Sequence, residues 1–175
     1  MEVYIVLTKT GTILSKIVKL IKHHKYTHVS ISLDEELNEM YSFGRINPYN
    51  PFIGGFVHEK INEGTFKRFK NTKCIVLKLN VEDEQYQKMK DIIEYFNKNS
   101  KRYEFNILGL LWLIINKRKI RKNKFYCAEF VKYVIDKSNV ENELPFVITP
   151  NDFLELPNIE KVYEGYLKEY NLKFL

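Results

Sequence analysis

The sequence predicts an α+β fold in which an antiparallel sheet is packed with helices. Strand patterns, rich in β-branched and aromatic residues, fill most of the first half of the chain, whereas helical patterns dominate the second half. The connections between most successive strand patterns are as short as those of hairpins, and a parallel sheet would need a crossover helix in each of them. A length of 175 residues, 45% of them hydrophobic, suits a single domain over residues 1–175 with one core.

Five segments have the composition of β-strands. Val3–Leu7 is apolar and ends at the turn residues Thr8–Gly11. Residues 27–33 and 39–43 are separated by a short acidic turn, so we expect them to form a hairpin. The two remaining strands are predicted at residues 54–59 and 73–79.

Helices are predicted where apolar residues recur at spacings of three and four. One such pattern, with apolar residues at positions 13, 17, 18, 20 and 21, follows the first strand. A long amphipathic helix is predicted over Glu82–Asn97, and another runs from Cys127 to about Lys137. Thr149–Asp152 reads as a further helix start, because threonine is a good cap and proline fits the first helical position.

Composition narrows the functional classes. A net charge of +6 favours phosphates, acidic polymers or an anionic membrane face as partners. Two cysteines and an N-terminus without signal-peptide features indicate a cytosolic protein with reduced thiols. The longest apolar stretch, Ile107–Ile115, is far shorter than the ~20 residues that cross a bilayer. Zinc-type spacings and glycine-rich phosphate loops do not occur, so we expect neither a metal nor a cofactor.

Cys127 and His28 are the residues most suited to chemistry. Cys127 falls in the first turn of its predicted helix, where the helix dipole favours a thiolate. In its strand, His28 shares a polar face with Ser30 and Ser32, opposite Val29. If the two meet, they form a Cys/His pair of the kind used in nucleophilic catalysis. The alternatives are a solvent-facing histidine and a buried core thiol, the role we also assign to the thiol at position 74.

Four segments together resemble the circularly permuted papain-like amidases of the NlpC superfamily, in that family's order and over roughly residues 4–156. These segments are Thr27–Ile31, Tyr41–Arg45, Phe125–Val131 and Thr149–Phe153. The resemblance implies a permuted papain-like fold and a cofactor-independent thiol hydrolase. It implies that Cys127 is the nucleophile and His28 the base, acting on an amide or ester through a thioester acyl-enzyme.

The third catalytic member is left open by the resemblance. Many members of the family carry a polar residue, often glutamate, on the strand after the histidine strand, and the matching position in this sequence is Ser42. Ser30 or an unidentified group could serve instead. Tyr126 and Ser30 are further candidates for contact with a small peptide, amide or acyl substrate.

Two other functions remain possible. Permuted proteins resembling lecithin:retinol acyltransferase use the same pair on lipid esters, and a binding protein could retain the fold without catalysis. A basic run before the cysteine helix is either a solvated loop or, beside the apolar residues 108–115, a surface for anionic lipid. It lacks interleaved aromatic residues, so nucleic acid is not expected. The basic residues of this run are Lys117, Arg118, Lys119, Arg121, Lys122 and Lys124.

Overall fold

A computed structural model describes residues 1–10, 25–50, 53–113, 115, 117 and 119–174. In this part of the chain a six-stranded sheet is packed with helices, which confirms the α+β class. The elements are β1 (Glu2–Lys9), β2 (His28–Ser32), β3 (Met40–Arg45), β4 (Gly54–Glu59), α1 (Gly64–Arg68), β5 (Lys73–Asn80), α2 (Asp83–Lys98), β6 (Glu104–Phe105), α3 (Ile107–Leu113), β7 (Lys124–Phe125), α4 (Cys127–Lys137) and β8 (Ile159–Tyr166), with 3-10 turns at Ser100–Arg102, Pro150–Glu155 and Leu167–Phe174.

The sheet has the strand order β4-β3-β2-β1-β5-β8, and all neighbouring strands are antiparallel. The predicted hairpin is confirmed, since β2 pairs with β3 and Ile31 lies opposite Tyr41. Strand β1 pairs with β2 on one side and along its whole length with β5 on the other, which makes it a central strand. Strands β6 and β7 form a separate parallel pair of two residues each, just before α4.

Several elements of the fold were not predicted, namely β8, α1, α3 and the short pair β6 and β7. Strand β8 follows the helices and pairs with β5, but its alternating charged and aromatic residues lie largely exposed at the sheet edge. Because an edge strand buries little apolar surface, its sequence carries a weak strand signal. The short helix α1 lies in a segment expected to be a loop. The segment after Thr149 begins as predicted but continues as a 3-10 turn, and the helix predicted over residues 13–21 lies outside the described residues.

One face of the sheet packs against α2 and α4. Val29 and Ile31 of β2 are fully buried there, and aromatic rings fill the space between the sheet and the helices. The ring of Phe43 lies 5.4 Å from that of Phe130 and 6.0 Å from that of Phe96. Such ring pairs stabilise by about 0.5–1.5 kcal/mol each beyond the area that they bury. This packing fixes α4 against β2 and β3.

The opposite face of the sheet is covered as well. A second cluster there joins Tyr4 and Val6 to Phe66 of α1 and to Tyr170 near the C-terminus. Ser30 and Ser32 fall on this face, where they alternate with Val29 and Ile31, and both serines are fully buried. The polar residues of β2 therefore belong to the interior, where each buried hydroxyl needs a hydrogen-bond partner.

Candidate active site

Cys127 is the first residue of α4, as the sequence predicts. Tyr126 precedes it in an extended conformation, and its carbonyl accepts the first helical hydrogen bond from Phe130, at 3.1 Å. The amide of Tyr126 donates to the Glu129 carboxylate at 3.2 Å, so a side chain of the first turn folds back over the start of the helix. Cys127 itself is 4% exposed.

A buried asparagine ties the start of α4 to the segment before it. Asn106 is fully buried, and its side-chain amide donates to Glu129 at 3.3 Å and to the carbonyl of Lys119 at 3.4 Å. The side-chain carbonyl of Asn106 accepts from the amide of Gly109 at 3.0 Å. A Cβ atom at Gly109 would lie 2.3 Å from Asn106 Nδ2, so only glycine leaves room for this arrangement.

His28 is the first residue of β2, and its side chain is 17% exposed. Nε2 of the imidazole lies 3.0 Å from Glu59 Oε1 and 3.2 Å from Oε2. Glu59 ends β4, and its side chain is 11% exposed. The hydroxyl of Ser30 donates to Glu59 Oε2 and lies 3.4 Å from His28 Nε2. A carboxylate, an imidazole and a hydroxyl thus form one cluster.

Strand β3 lies between the strands that carry His28 and Glu59, and its residue nearest to both side chains is Gly44. A Cβ atom at Gly44 would lie 3.5 Å from His28 Cε1 and 3.5 Å from Glu59 Oε1. Gly44 therefore lies directly beside the histidine and carboxylate pair. A Cβ atom at this position would make ordinary van der Waals contacts with both groups.

The structure brings Cys127 and His28 together, as the sequence analysis expected. Burial alone would lower the pKa of His28, but the negative charge of Glu59 and hydrogen bonds to Cys127 and Glu59 outweigh it. The pKa of His28 therefore lies well above its ordinary value. Nε2 of the ring is bonded to Glu59, so Nδ1 is the ring nitrogen that this carboxylate does not hold.

Ser42, one of the candidates for the third member, does not hydrogen-bond the imidazole. Its hydroxyl is fully buried and donates to the carbonyl of Val29 at 2.7 Å. Glu59 lies beside His28 instead, one strand further along the sheet. A glutamate at the end of a predicted strand is a partial signal for this contact. The register that turns it towards His28 depends on two hairpins.

The two candidate substrate contacts lie in the interior. Tyr126 is 1% exposed, and its hydroxyl donates to the carbonyl of Ile148 at 2.9 Å. Ser30 is fully buried against Glu59. Neither side chain is open to a ligand, so their predicted contact with substrate is not met. Both residues hold other groups in place, Tyr126 at the start of α4 and Ser30 at the carboxylate.

The segment at 149–153 contacts the chain just before the strand of His28. Thr149 and Asp152 bond each other at the start of the 3-10 turn, with the amide of Thr149 2.6 Å from Asp152 Oδ2. The side chain of Asn151 then accepts from the amide of Tyr26 at 3.2 Å and donates to its carbonyl at 2.7 Å. This two-bond clamp fixes the backbone two residues before His28.

The second thiol has a different environment. Cys74 lies in β5 and is 1% exposed, as expected for a core residue. Burial raises the pKa of Cys74 to about 12, so this thiol stays protonated at neutral pH. It provides an internal reference for any measurement of Cys127 reactivity.

The basic run lies beside an exposed apolar surface on α3. Leu108 and Leu111 are each 45% exposed, and Ile115 just beyond the helix is 56% exposed. Lys119 lies 5.5 Å from the ring centre of Trp112, and Lys124 forms an ion pair with the carboxylate of residue 104. Arg118 lies outside the described residues. Within the described ranges, every helix is too short or too polar to cross a bilayer.

Comparison with known proteins gives a relative in fold only. Neither a protein-family model nor a curated protein matches the chain. Among solved structures, the chain is similar to the metalloprotein yiiX from Escherichia coli O157:H7, designated DUF1105, with a TM-score of 0.53. The match covers 93% of this chain and 96% of that one at 16% sequence identity. It supports the α+β architecture over nearly the whole chain.

Because that neighbour is described as a metalloprotein, the question arises whether side chains of this chain could bind a metal ion. Among the residues that the structure describes, no three His, Cys, Asp or Glu side chains come close enough together to share a metal ion. Nε2 of His28 is directed at the carboxylate of Glu59. The described side chains therefore do not fit a metal centre.

Proposed function

We propose that this protein is a cysteine-dependent acyl hydrolase of the amidase or peptidase type, working in the cytosol without a cofactor. The observation that carries the proposal is His28 held between the thiol of Cys127 and the carboxylate of Glu59. A nucleophile, a base and a group that orients the base are the three parts that thiol hydrolases need. The substrate would be an amide, such as a short peptide or an acylated amine.

The reaction begins at the sulfur of Cys127. His28 takes the thiol proton, the sulfur bonds to the carbonyl carbon of the substrate, and the carbonyl oxygen becomes negatively charged. When this intermediate collapses, the bond to nitrogen breaks and the leaving amine receives the proton from His28. The product of this first half is a thioester. The amide N–H of Cys127, at the helix start, lacks a partner within the helix and can stabilise the oxyanion.

Water completes the reaction. His28 removes a proton from water as the water oxygen attacks the thioester carbon, and the carbon–sulfur bond breaks. Sulfur regains the proton, and a carboxylic acid leaves. Glu59 stabilises the imidazolium formed in each half, which a serine at this position would do less well. General acid–base catalysis of this kind accelerates reactions by about 10²–10⁴-fold.

The test compares the two cysteines. Cys127→Ala should abolish hydrolysis of a panel of fluorogenic peptide and acyl-amine amides, whereas Cys74→Ala should leave the rate within about twofold of wild type. Iodoacetamide at neutral pH should label Cys127 and spare the buried Cys74, because the thiolate is the reactive form. Labelling of Cys127 should slow in the His28→Ala protein.

A second candidate is hydrolysis or transfer of acyl groups on lipid esters by the same pair. The apolar side chains of α3 beside exposed lysines favour it, since they resemble a surface that rests on anionic membranes. Adding phospholipid esters to the substrate panel separates the two functions by which bond is cleaved. If wild type cleaves neither class and Cys127 reacts no faster than an ordinary free thiol, the third possibility, a binding protein, is supported instead.

A further inference from the structure

A cavity of about 130 Å³ lies between α1 and the strands β3 and β4, next to the cluster around His28. Arg45, the last residue of β3, lines it, and so does Glu59, the carboxylate that holds His28. Lys60, Glu63 and Thr65 line the side nearest α1. The cavity therefore shares Glu59 with the candidate active site, whereas its other charged residues, Arg45, Lys60 and Glu63, lie outside that site.

The guanidinium of Arg45 is incompletely paired. Its Nη2 atom is buried and has no hydrogen-bond partner among the residues that the structure describes. The carboxylates that line the cavity have other partners, because Glu59 bonds His28 and Ser30, and Glu63 lies 3.5 Å from Lys60 Nζ. A buried charged donor without a partner costs free energy, which a ligand that accepts its hydrogen bonds would recover.

A second guanidinium increases the demand for negative charge. Burial and the positive charge of Arg68 lower the pKa of Arg45, although an arginine remains charged at neutral pH. Arg68 is itself held in place, since it donates to the carbonyl of Pro48 and lies 4.5 Å above the ring of Tyr49. Its charge therefore stays close to Arg45 and repels it until an anion is present.

We propose that this cavity binds an anionic group, a carboxylate or a phosphate, that pairs with the guanidinium of Arg45. The planar guanidinium matches the oxygens of either group and can donate two parallel hydrogen bonds to it. A ligand held in this way lies beside Glu59 and so reaches the edge of the site that contains His28. Binding does not require turnover at Cys127, so this proposal stands or falls separately from the hydrolase activity.

The experiment titrates isotope-labelled protein with succinate and, separately, with inorganic phosphate at constant ionic strength, and follows backbone amides by NMR. The anion that fits should shift the amides of Arg45, Glu59 and Thr65 together. Arg45→Gln should weaken its binding by about tenfold or more, and Arg45→Lys by less, because a lysine keeps the charge but lacks the planar fork. Lys67→Gln, on the exposed side of α1, is the matched control and should bind as wild type does.

Several results would overturn the proposal. They are an absence of binding by both anions, equal affinity of wild type and Arg45→Gln, and shifts confined to surface lysines away from the cavity. If Arg45→Gln does not fold, the pattern of shifts in wild type and the affinity of Arg45→Lys decide the question. A preference for succinate over phosphate, or the reverse, identifies which of the two anionic groups the cavity accepts.

Discussion

The imidazole of His28 lies between two groups of opposite chemical character. On one side the thiol of Cys127 can lose a proton, and on the other the carboxylate of Glu59 carries a negative charge. Burial alone would make His28 a weaker base, so its raised pKa depends on these two partners. The proposed chemistry therefore depends on Glu59 as a residue that orients the imidazole and stabilises its charged form.

Replacing Glu59 with glutamine tests this role. The side chain keeps its shape and can still bond the ring, but its negative charge is gone, so the pKa of His28 should fall relative to wild type. We expect hydrolysis to slow by about 10–10²-fold. NMR titration of the imidazole protons and steady-state kinetics measure the two effects. Glu63→Gln, at an exposed position outside the cluster, is the control, and an unchanged His28 titration in Glu59→Gln would contradict the assignment.

The raised pKa of His28 also predicts how stability depends on pH. A group whose pKa is higher in the folded state stabilises that state fully below its unfolded value near 6.5. This contribution is lost as the pH rises through the folded value. Urea unfolding of wild type and His28→Gln should therefore give stabilities whose difference shrinks as the pH increases above about 6.5. Parallel stability profiles for the two proteins would show that the folded structure does not hold the extra proton.

At the scale of single elements, α3 and α4 are joined by a contact that glycine alone permits. Gly109 donates its amide to Asn106, and Asn106 reaches Glu129 in the first turn of α4. The position of Cys127 therefore depends partly on a residue 18 positions away in the chain, on another helix. Sequence patterns cannot reveal such a contact, because glycine inside a helix ordinarily indicates only weak helical propensity.

Replacing Gly109 with alanine shows whether helical propensity or the contact with Asn106 governs stability at this position. In an unconstrained helix, alanine is favoured over glycine by about 1 kcal/mol. Here the new Cβ would lie 2.3 Å from Asn106 Nδ2, and the buried asparagine cannot move without losing its hydrogen bonds. We expect Gly109→Ala to destabilise the protein by about 1–3 kcal/mol in urea unfolding. Leu108→Ala, at an exposed neighbour, should change stability by less than about 0.5 kcal/mol. A stabilised Gly109→Ala protein would rule out the constraint.

Local patterns predicted most of the elements that bury much apolar surface, with the exception of α3, which buries Leu110 and Leu113. Strands β1 to β5 and the helices α2 and α4 have strong periodicity because each presents an apolar face to the core. Strand β8 and helix α1 bury little and were missed. Cys127 and His28 could be proposed from local context and a family resemblance. Glu59 could not, because its contact with His28 depends on the register of strands across β3, and the hydroxyl of Ser42 donates to the carbonyl of Val29 instead.

The whole molecule carries a net charge of +6, and part of that charge lies next to its exposed apolar residues. Leu108, Leu111 and Ile115 project from α3 and the segment after it, while Lys117, Lys119 and Lys122 are exposed alongside. An apolar surface with adjacent cations is typical of proteins that rest on anionic membranes. The buried Asn106 links this surface to α4, so a membrane bound there would lie near the helix that begins at Cys127.

Vesicle binding by two variants of equal net charge tests this surface. Changing Lys117, Lys119 and Lys122 together to glutamate should reduce binding to phosphatidylserine vesicles by more than tenfold, since each cation near such a surface contributes about 1 kcal/mol. Wild-type binding should weaken as salt increases and be much lower on phosphatidylcholine. The matched control makes the same three-charge reversal on exposed lysines elsewhere, at Lys67, Lys70 and Lys90. If both triple variants bind phosphatidylserine equally well, net charge rather than this surface governs the attraction, and the lipid-ester function loses its support.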